Sequence, residues 1–127
     1  MATRILIVED HPTMREAMRL VLEGEGFEID EAADGHLAME RIRLAQPDLL
    51  FLDLNIPGTS GAEVLHAVKT DPATASMRVI VVTATGEEGR AAALRLGADE
   101  YFTKPFSPTA LLRTVEKVLA SGGSPEA

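Results

Sequence analysis

At 127 residues the chain is one domain with room for a single substantial core, and its 46% hydrophobic and 25% charged residues are those of an ordinary soluble globular protein. No apolar run is long enough to span a membrane and the N-terminus lacks a signal core with a cleavage site, so a cytoplasmic protein is expected. With no cysteine there is neither a disulfide framework nor a thiolate metal site, and a formal charge of -8 argues against direct nucleic-acid contact while favouring a divalent cation.

Residues 4–8, Arg-Ile-Leu-Ile-Val, are predicted as a β-branched strand that delivers Glu9 and Asp10 at its end. After His11-Pro12, Met14, Ala17, Met18, Val21 and Leu22 recur at helical spacing, with Pro12 suited to the first turn and Gly24 or Gly26 to the stop. Residues 27–31 are expected as a short second strand and Asp34-Gly35 as a turn. Leu37, Ala38, Ile42 and Ala45 then mark a second amphipathic helix that must end before Pro47. The stretch DLLFLDLNIPGTSG, from Asp48 to Gly61, is the most informative. Its continuous apolar run Leu49, Leu50, Phe51, Leu52 reads as a strand buried on both faces, and Asp53 sits where the run breaks towards Pro57, Gly58 and Gly61.

A third helix is predicted over 61–69 through Val64, Leu65 and Val68, before a loop at Asp71-Pro72. Residues 79–82, Val-Ile-Val-Val, form the most emphatic strand and end at Thr83. A fourth, Ala-rich helix runs from about Glu87 to Leu96 and stops at Gly97, where a left-handed cap costs little. Residues 99–103 make a shorter fifth strand before Lys104-Pro105, and Leu111, Leu112, Val115, Val118 and Leu119 mark the last helix. Five strands alternating with five helices imply an α/β doubly wound parallel sheet covered on both faces. Residues 1–120 form the domain, and 121–127, SGGSPEA, are expected as a flexible tail or the start of a linker.

All carboxyl ends of parallel strands share one edge, so Glu9, Asp10, Asp53, Thr83 and Lys104 should converge there, in the crevice where open α/β sheets collect ligands. Taken singly each has an ordinary explanation: Asp53 could begin a turn, Thr83 could end a strand and Lys104 could be a solvated charge. Jointly, after three different strands, they make a site. Three carboxylates held together repel and raise a pKa unless a cation intervenes. Magnesium fits that need with oxygen ligands, and manganese is its substitute. An aspartate in such a site can accept phosphate as an acyl phosphate, with Lys104, Thr83 and backbone N–H groups receiving the phosphoryl oxygens. His11 is expected to cap its helix or face solvent and is left out of the site, and His36 and His66 have no ligand-like partners.

As a set, Glu9-Asp10, Asp53-Leu54-Asn55-Ile56-Pro57 with Gly61, Thr83-Ala84 and Lys104-Pro105-Phe106 resemble the receiver domains of two-component response regulators, over roughly residues 3–120. The resemblance implies a flavodoxin-like (βα)5 fold with strand order 2-1-3-4-5. It implies that Asp53 is phosphorylated, that Asp10, Asp53 and the backbone carbonyl of Asn55 hold magnesium, and that Glu9 reaches it through water. Thr83 and Lys104 would bind the phosphoryl group, and Tyr101 would be an aromatic switch swinging inward with Thr83. The Lys104-Pro105 bond would be cis. Partners would be a histidine kinase or phosphotransfer protein upstream and a protein target or effector domain downstream. The chain would be a monomer or a phosphorylation-dependent dimer through the fourth and fifth helices, with no nucleic acid, no membrane and no external substrate turned over. Ile56 stands where the family most often has Met. Asn55 and Thr85 occupy the positions that line the approach of hydrolytic water, small Ala84 leaves room for a phosphodonor, and Leu111-Leu112-Arg113-Thr114 lacks an Arg usual in the DNA-binding winged-helix subfamily.

Three other classes compete. A magnesium-dependent aspartyl phosphatase of the haloacid-dehalogenase type needs an acid two residues after its nucleophile, where Asn55 stands, and a cap insertion that this length does not accommodate. A flavodoxin-like cofactor module would need a Gly-rich phosphate loop, which the sequence lacks. A phosphate-independent pseudo-receiver scaffold would not need the full set of acids.

Overall fold

The strongest apolar runs of the sequence become the middle of a five-stranded sheet. The computed structural model describes residues 2–83, 87–104 and 106–122. Ala84, Thr85 and Pro105, with the expected cis Lys104-Pro105 bond, and residues 123–127 of the expected tail lie outside the described residues. In chain order the elements are β1 (Arg4–Val8), α1 (Pro12–Glu23), β2 (Glu28–Ala32), α2 (Gly35–Ala45), β3 (Leu49–Leu52), α3 (Gly61–Thr70), β4 (Arg78–Thr83), α4 (Glu87–Arg95), β5 (Glu100–Thr103) and α5 (Pro108–Gly122). All strand pairs are parallel and the order is β2-β1-β3-β4-β5, the doubly wound arrangement expected. No helix among the described residues is long and apolar enough to cross a membrane.

Side chains alternate across the sheet, so each central strand feeds two cores at once. Leu6, Val8, Leu50, Leu52, Val79 and Val81 pack with Ala38 and Ile42 of α2 and Val64, Leu65 and Val68 of α3. Ile5, Ile7, Leu49, Phe51, Ile80 and Val82 pack on the other face with Met18 and Leu22 of α1 and Leu111, Val115 and Val118 of α5. Both faces being covered is the physical reason that these strands read as unbroken apolar runs rather than alternating ones. The edge strand β2, Glu28-Ile29-Asp30-Glu31-Ala32, carries charges because one of its edges has no strand neighbour among the described residues.

Several boundaries differ from expectation. β2 is displaced by one residue, since its pairing with β1 runs from Arg4↔Glu28 to Val8↔Ala32 and brings buried Ala32 into the ladder. Asp34-Gly35 is not a separate turn: the Asp34 side chain accepts a hydrogen bond from the Leu37 N–H at 2.8 Å, making Asp34 the N-cap of α2 and Gly35 its first residue. Gly24 stays in right-handed geometry after α1, and Gly26 takes the positive φ of 91°. β5 begins at Glu100 rather than Asp99, and α5 runs to Gly122, two residues past the expected boundary. After α4, Gly97 has φ 106° as expected, and a Cβ there would also press on the Lys69 alkyl chain at 3.1 Å.

Candidate functional site

The β ladder continues one residue past three of the strands and so fixes the backbone from which the polar side chains project. Glu9 N–H donates to Ala32 O at 3.1 Å, Asp53 N–H to Val8 O at 3.1 Å, and Lys104 N–H to Thr83 O at 2.9 Å. These bonds bring residues from the ends of β1, β3 and β5 together at one edge of the sheet. Lys104 Nζ lies 2.8 Å from Asp53 Oδ2 and 2.8 Å from Glu9 Oε1, joining two carboxylates that are only 4% and 1% exposed.

Electrostatics follow from that geometry. Burial alone would raise the Glu9 carboxyl, but hydrogen bonds from Lys104 and His11 outweigh it and hold the group below its ordinary value of 4.5. Burial would likewise lower the Lys104 ammonium, yet its bonds to Asp53 and Glu9 keep it above 10.5. The cation needed to let neighbouring acids ionise is thus, in part, Lys104 itself.

The second oxygen of Asp53 is also committed: Asn55 N–H donates to Asp53 Oδ1 at 2.9 Å. From the same residue, Asn55 Nδ2 donates to Thr83 Oγ1 at 3.4 Å, linking the loop after β3 to the fully buried Thr83 at the end of β4. That loop is pinned where α3 begins. Ser60 and Glu63 form a reciprocal capping box, with Glu63 N–H donating to Ser60 Oγ at 3.2 Å and Ser60 N–H to Glu63 Oε1 at 3.1 Å. Gly61 N–H donates to Leu54 O at 3.3 Å, and a Cβ on Gly61 would fall 2.4 Å from Leu54 Cα and 2.6 Å from Asp53 O. Only glycine lets the helix start come so close to the acid-bearing turn.

Asp10 adjoins Glu9 through His11, whose Nδ1 is within 3.3 Å of a carboxylate oxygen of each. Its Oδ1 is buried and, among the described residues, has no hydrogen-bond partner, although His11 Nδ1 lies 3.3 Å away. Glu9, Asp10 and Asp53 set three carboxylates against the single ammonium of Lys104, leaving two negative charges at the edge of the sheet if all are ionised. An orphaned carboxylate oxygen beside an excess of two charges is the donor chemistry of a divalent, oxygen-seeking cation, so these residues fit magnesium.

Of the residues singled out from sequence, Glu9, Asp53 and Lys104 are in direct contact, Asn55 and Thr83 join them by hydrogen bonds, and Asp10 adjoins Glu9 and His11. Tyr101 is in register with Val81, two residues before Thr83, and is already turned inward, 7% exposed, in the core with Ala93 and Ala98. His11 faces solvent, one of the two places expected for it, with its side chain 73% exposed. It is the N-cap residue of α1 but its side chain makes no capping bond; instead Nδ1 lies 3.1 Å from Glu9 Oε2, and its backbone N–H donates to the same oxygen at 3.2 Å. Arg15, not singled out from sequence, donates from Nη1 to the Glu9 carbonyl at 2.8 Å and from Nε to Glu31 Oε1 at 2.8 Å.

The family model described as response regulator receiver domain matches residues 5–116. The phosphate regulon transcriptional regulatory protein PhoB of Klebsiella pneumoniae is 42% identical over 120 residues, covering 94% of this chain and 52% of that protein. The transcriptional regulatory protein ResD of Bacillus subtilis (strain 168) is 40% identical over 118 residues, 92% of this chain and 48% of its own length. The chain therefore spans about half the length of these curated relatives. Among solved structures, a response regulator receiver domain protein (CheY-like) from Methanospirillum hungatei JF-1 superposes with a TM-score of 0.89 at 28% identity, covering 96% of this chain and 97% of that one.

Proposed function

This chain belongs to the response regulator receiver domain family, and from that premise we propose that it is a phosphoacceptor switch in which Asp53 takes a phosphoryl group from a histidine kinase or phosphotransfer protein. The observation that carries the assignment to Asp53 is its buried carboxylate, gripped between Lys104 Nζ at 2.8 Å and the Asn55 N–H at 2.9 Å.

Asp10, Asp53 and the Asn55 carbonyl would hold magnesium, with Glu9 reaching it through water. When bound, the ion supplies positive charge to the phosphoryl oxygens and screens Asp53 from them. The rest is done by the chain. An Asp53 oxygen attacks phosphorus in line, the P–O bond of an acyl phosphate forms, and the P–N bond to the donor histidine breaks, leaving the electron pair on the imidazole, which takes up a proton. Lys104, already 2.8 Å from Oδ2, would follow the new charge onto a phosphoryl oxygen, and the Thr83 hydroxyl would turn from Asn55 to donate to another. Pulling Thr83 away from its resting contact couples the chemistry to β4. Tyr101, packed beside that strand, would report the change at the α4–β5–α5 surface.

The reaction is the chain's own modification and its reversal, with no external substrate, carried out in the cytoplasm. The downstream recipient would be a protein target or an effector domain, either by monomer contact or by a dimer through α4 and α5, with the receiver extending to the end of α5 at Gly122. The rival aspartyl phosphatase would need an acid where Asn55 stands.

Incubation with acetyl phosphate, with and without magnesium, followed by intact mass and peptide mapping, tests the proposal. One phosphoryl adduct on Asp53, lost on chelation and in Asp53→Asn, is the expected result. A metal-independent adduct, or one on another residue, would overturn it.

A further inference from the structure

We infer, on the reading that Asp10 and Asp53 hold a divalent cation, that His11 adds an imidazole nitrogen to that site and so makes it prefer transition ions such as cobalt(II) over magnesium. Glu9 presents its two oxygens to different neighbours. Oε1 is 2.8 Å from Lys104 Nζ, whose charge is shared with Asp53, while Oε2 faces His11 Nδ1 at 3.1 Å. The same Nδ1 lies 3.3 Å from Asp10 Oδ1, a buried oxygen with no hydrogen-bond partner among the described residues. One donor atom each from Glu9, Asp10 and His11 lies within 4.8 Å of the others.

The backbone explains why the ring is there. Pro12 begins α1, and His11 before it is extended, with φ -85° and ψ 113°. Its ring is thereby freed from capping and turned back onto the acids, while the side chain stays 73% exposed, open to an ion arriving from solvent. Magnesium keeps oxygen ligands and gains little from imidazole. Later first-row ions gain progressively more from a nitrogen donor, and their preference for this site would come from His11.

Two measurements on the full chain test this. Pulsed electron paramagnetic resonance of the manganese(II)-loaded protein should show a 14N coupling that disappears in His11→Ala. Calorimetric titration should show cobalt(II) binding weakened about tenfold or more by His11→Ala, with magnesium binding changed by less than about twofold. A wild-type protein without 14N coupling, a coupling that survives in His11→Ala, or equal weakening of both ions would overturn the role of His11. Asp10→Asn separates this from the reading beneath it: loss of both ions in that variant supports the cation site, whereas undiminished binding of both would overturn the site and the inference together.

Discussion

Lys104 Nζ and Asp53 Oδ2 are 2.8 Å apart at the edge of the sheet, and the same ammonium reaches Glu9 Oε1 at 2.8 Å, so a single cation ties β5 to both β1 and β3. Removing it would leave two buried carboxylates facing each other. For Lys104→Ala in chelator, a loss of about 3–5 kcal/mol in urea unfolding is expected, the usual effect of taking one partner from a buried pair. Magnesium should restore most of that loss and bind more tightly than to the unmutated chain, because no ammonium competes for the acids. Acetyl phosphate should still label Asp53 in this variant while partner binding stops responding. Equal unfolding midpoints with and without magnesium would contradict the expectation.

The same contacts set the pH range of the metal-free protein. Glu9 is held below 4.5, so its contribution is fully present above the unfolded value and is lost as pH falls through the lower folded value. Lys104 is held above 10.5, so its contribution is present below that value and is lost as pH rises through the higher folded one. Urea unfolding in chelator from pH 3 to 7 should therefore show stability falling on the acid side, with a shallower fall in Glu9→Gln. Parallel acid limbs for the two proteins would show that Glu9 does not contribute.

Gly61→Ala offers a test of the loop geometry in which two effects oppose. Alanine favours helix by about 1 kcal/mol over glycine, but its Cβ would meet backbone, 2.4 Å from Leu54 Cα and 2.6 Å from Asp53 O, which cannot swing aside as a side chain could. Steric displacement should win, with a net destabilisation of about 1–3 kcal/mol. Moving Leu54 also moves the Asn55 N–H away from Asp53, so labelling by acetyl phosphate should slow. A variant as stable and as readily labelled as the unmutated chain would mean the loop has slack.

The sheet was legible in the sequence because both faces of β1, β3 and β4 are covered, and covered strands must be apolar throughout. Glu9, Asp53 and Lys104 were legible because parallel strands force all their carboxyl ends to one edge. His11 was not, since its place depends on a backbone turn before Pro12 and a lone histidine there has a capping role available to it. Arg15 was hidden for a different reason. Its partners are the carbonyl of Glu9, just past β1, and the Glu31 side chain on β2, and no local spacing announces the second contact, which the β2-β1 pairing creates. The Asp34-Gly35 pair was ambiguous because the same side-chain oxygen can begin a turn or cap a helix.

Arg15 yields the last expectation. It grips the Glu9 carbonyl at 2.8 Å and Glu31 Oε1 at 2.8 Å, while Arg19 Nε stands 2.7 Å from the other Glu31 oxygen, so Glu31 is the post that holds the arm. The carbonyl belongs to the turn that aims Asp10, which makes Arg15 a positioning residue for the cation site. Arg15→Ala should weaken magnesium binding about tenfold, in the range for groups that orient ligands, with the fold kept. Glu31→Gln, remote in sequence, should weaken it in the same direction. The double variant should be no worse than Arg15→Ala alone, because once the arm is gone its post has nothing to hold. Calorimetric titration of the four proteins checks this: additive losses would mean that Glu31 acts on the site through its own charge rather than through Arg15.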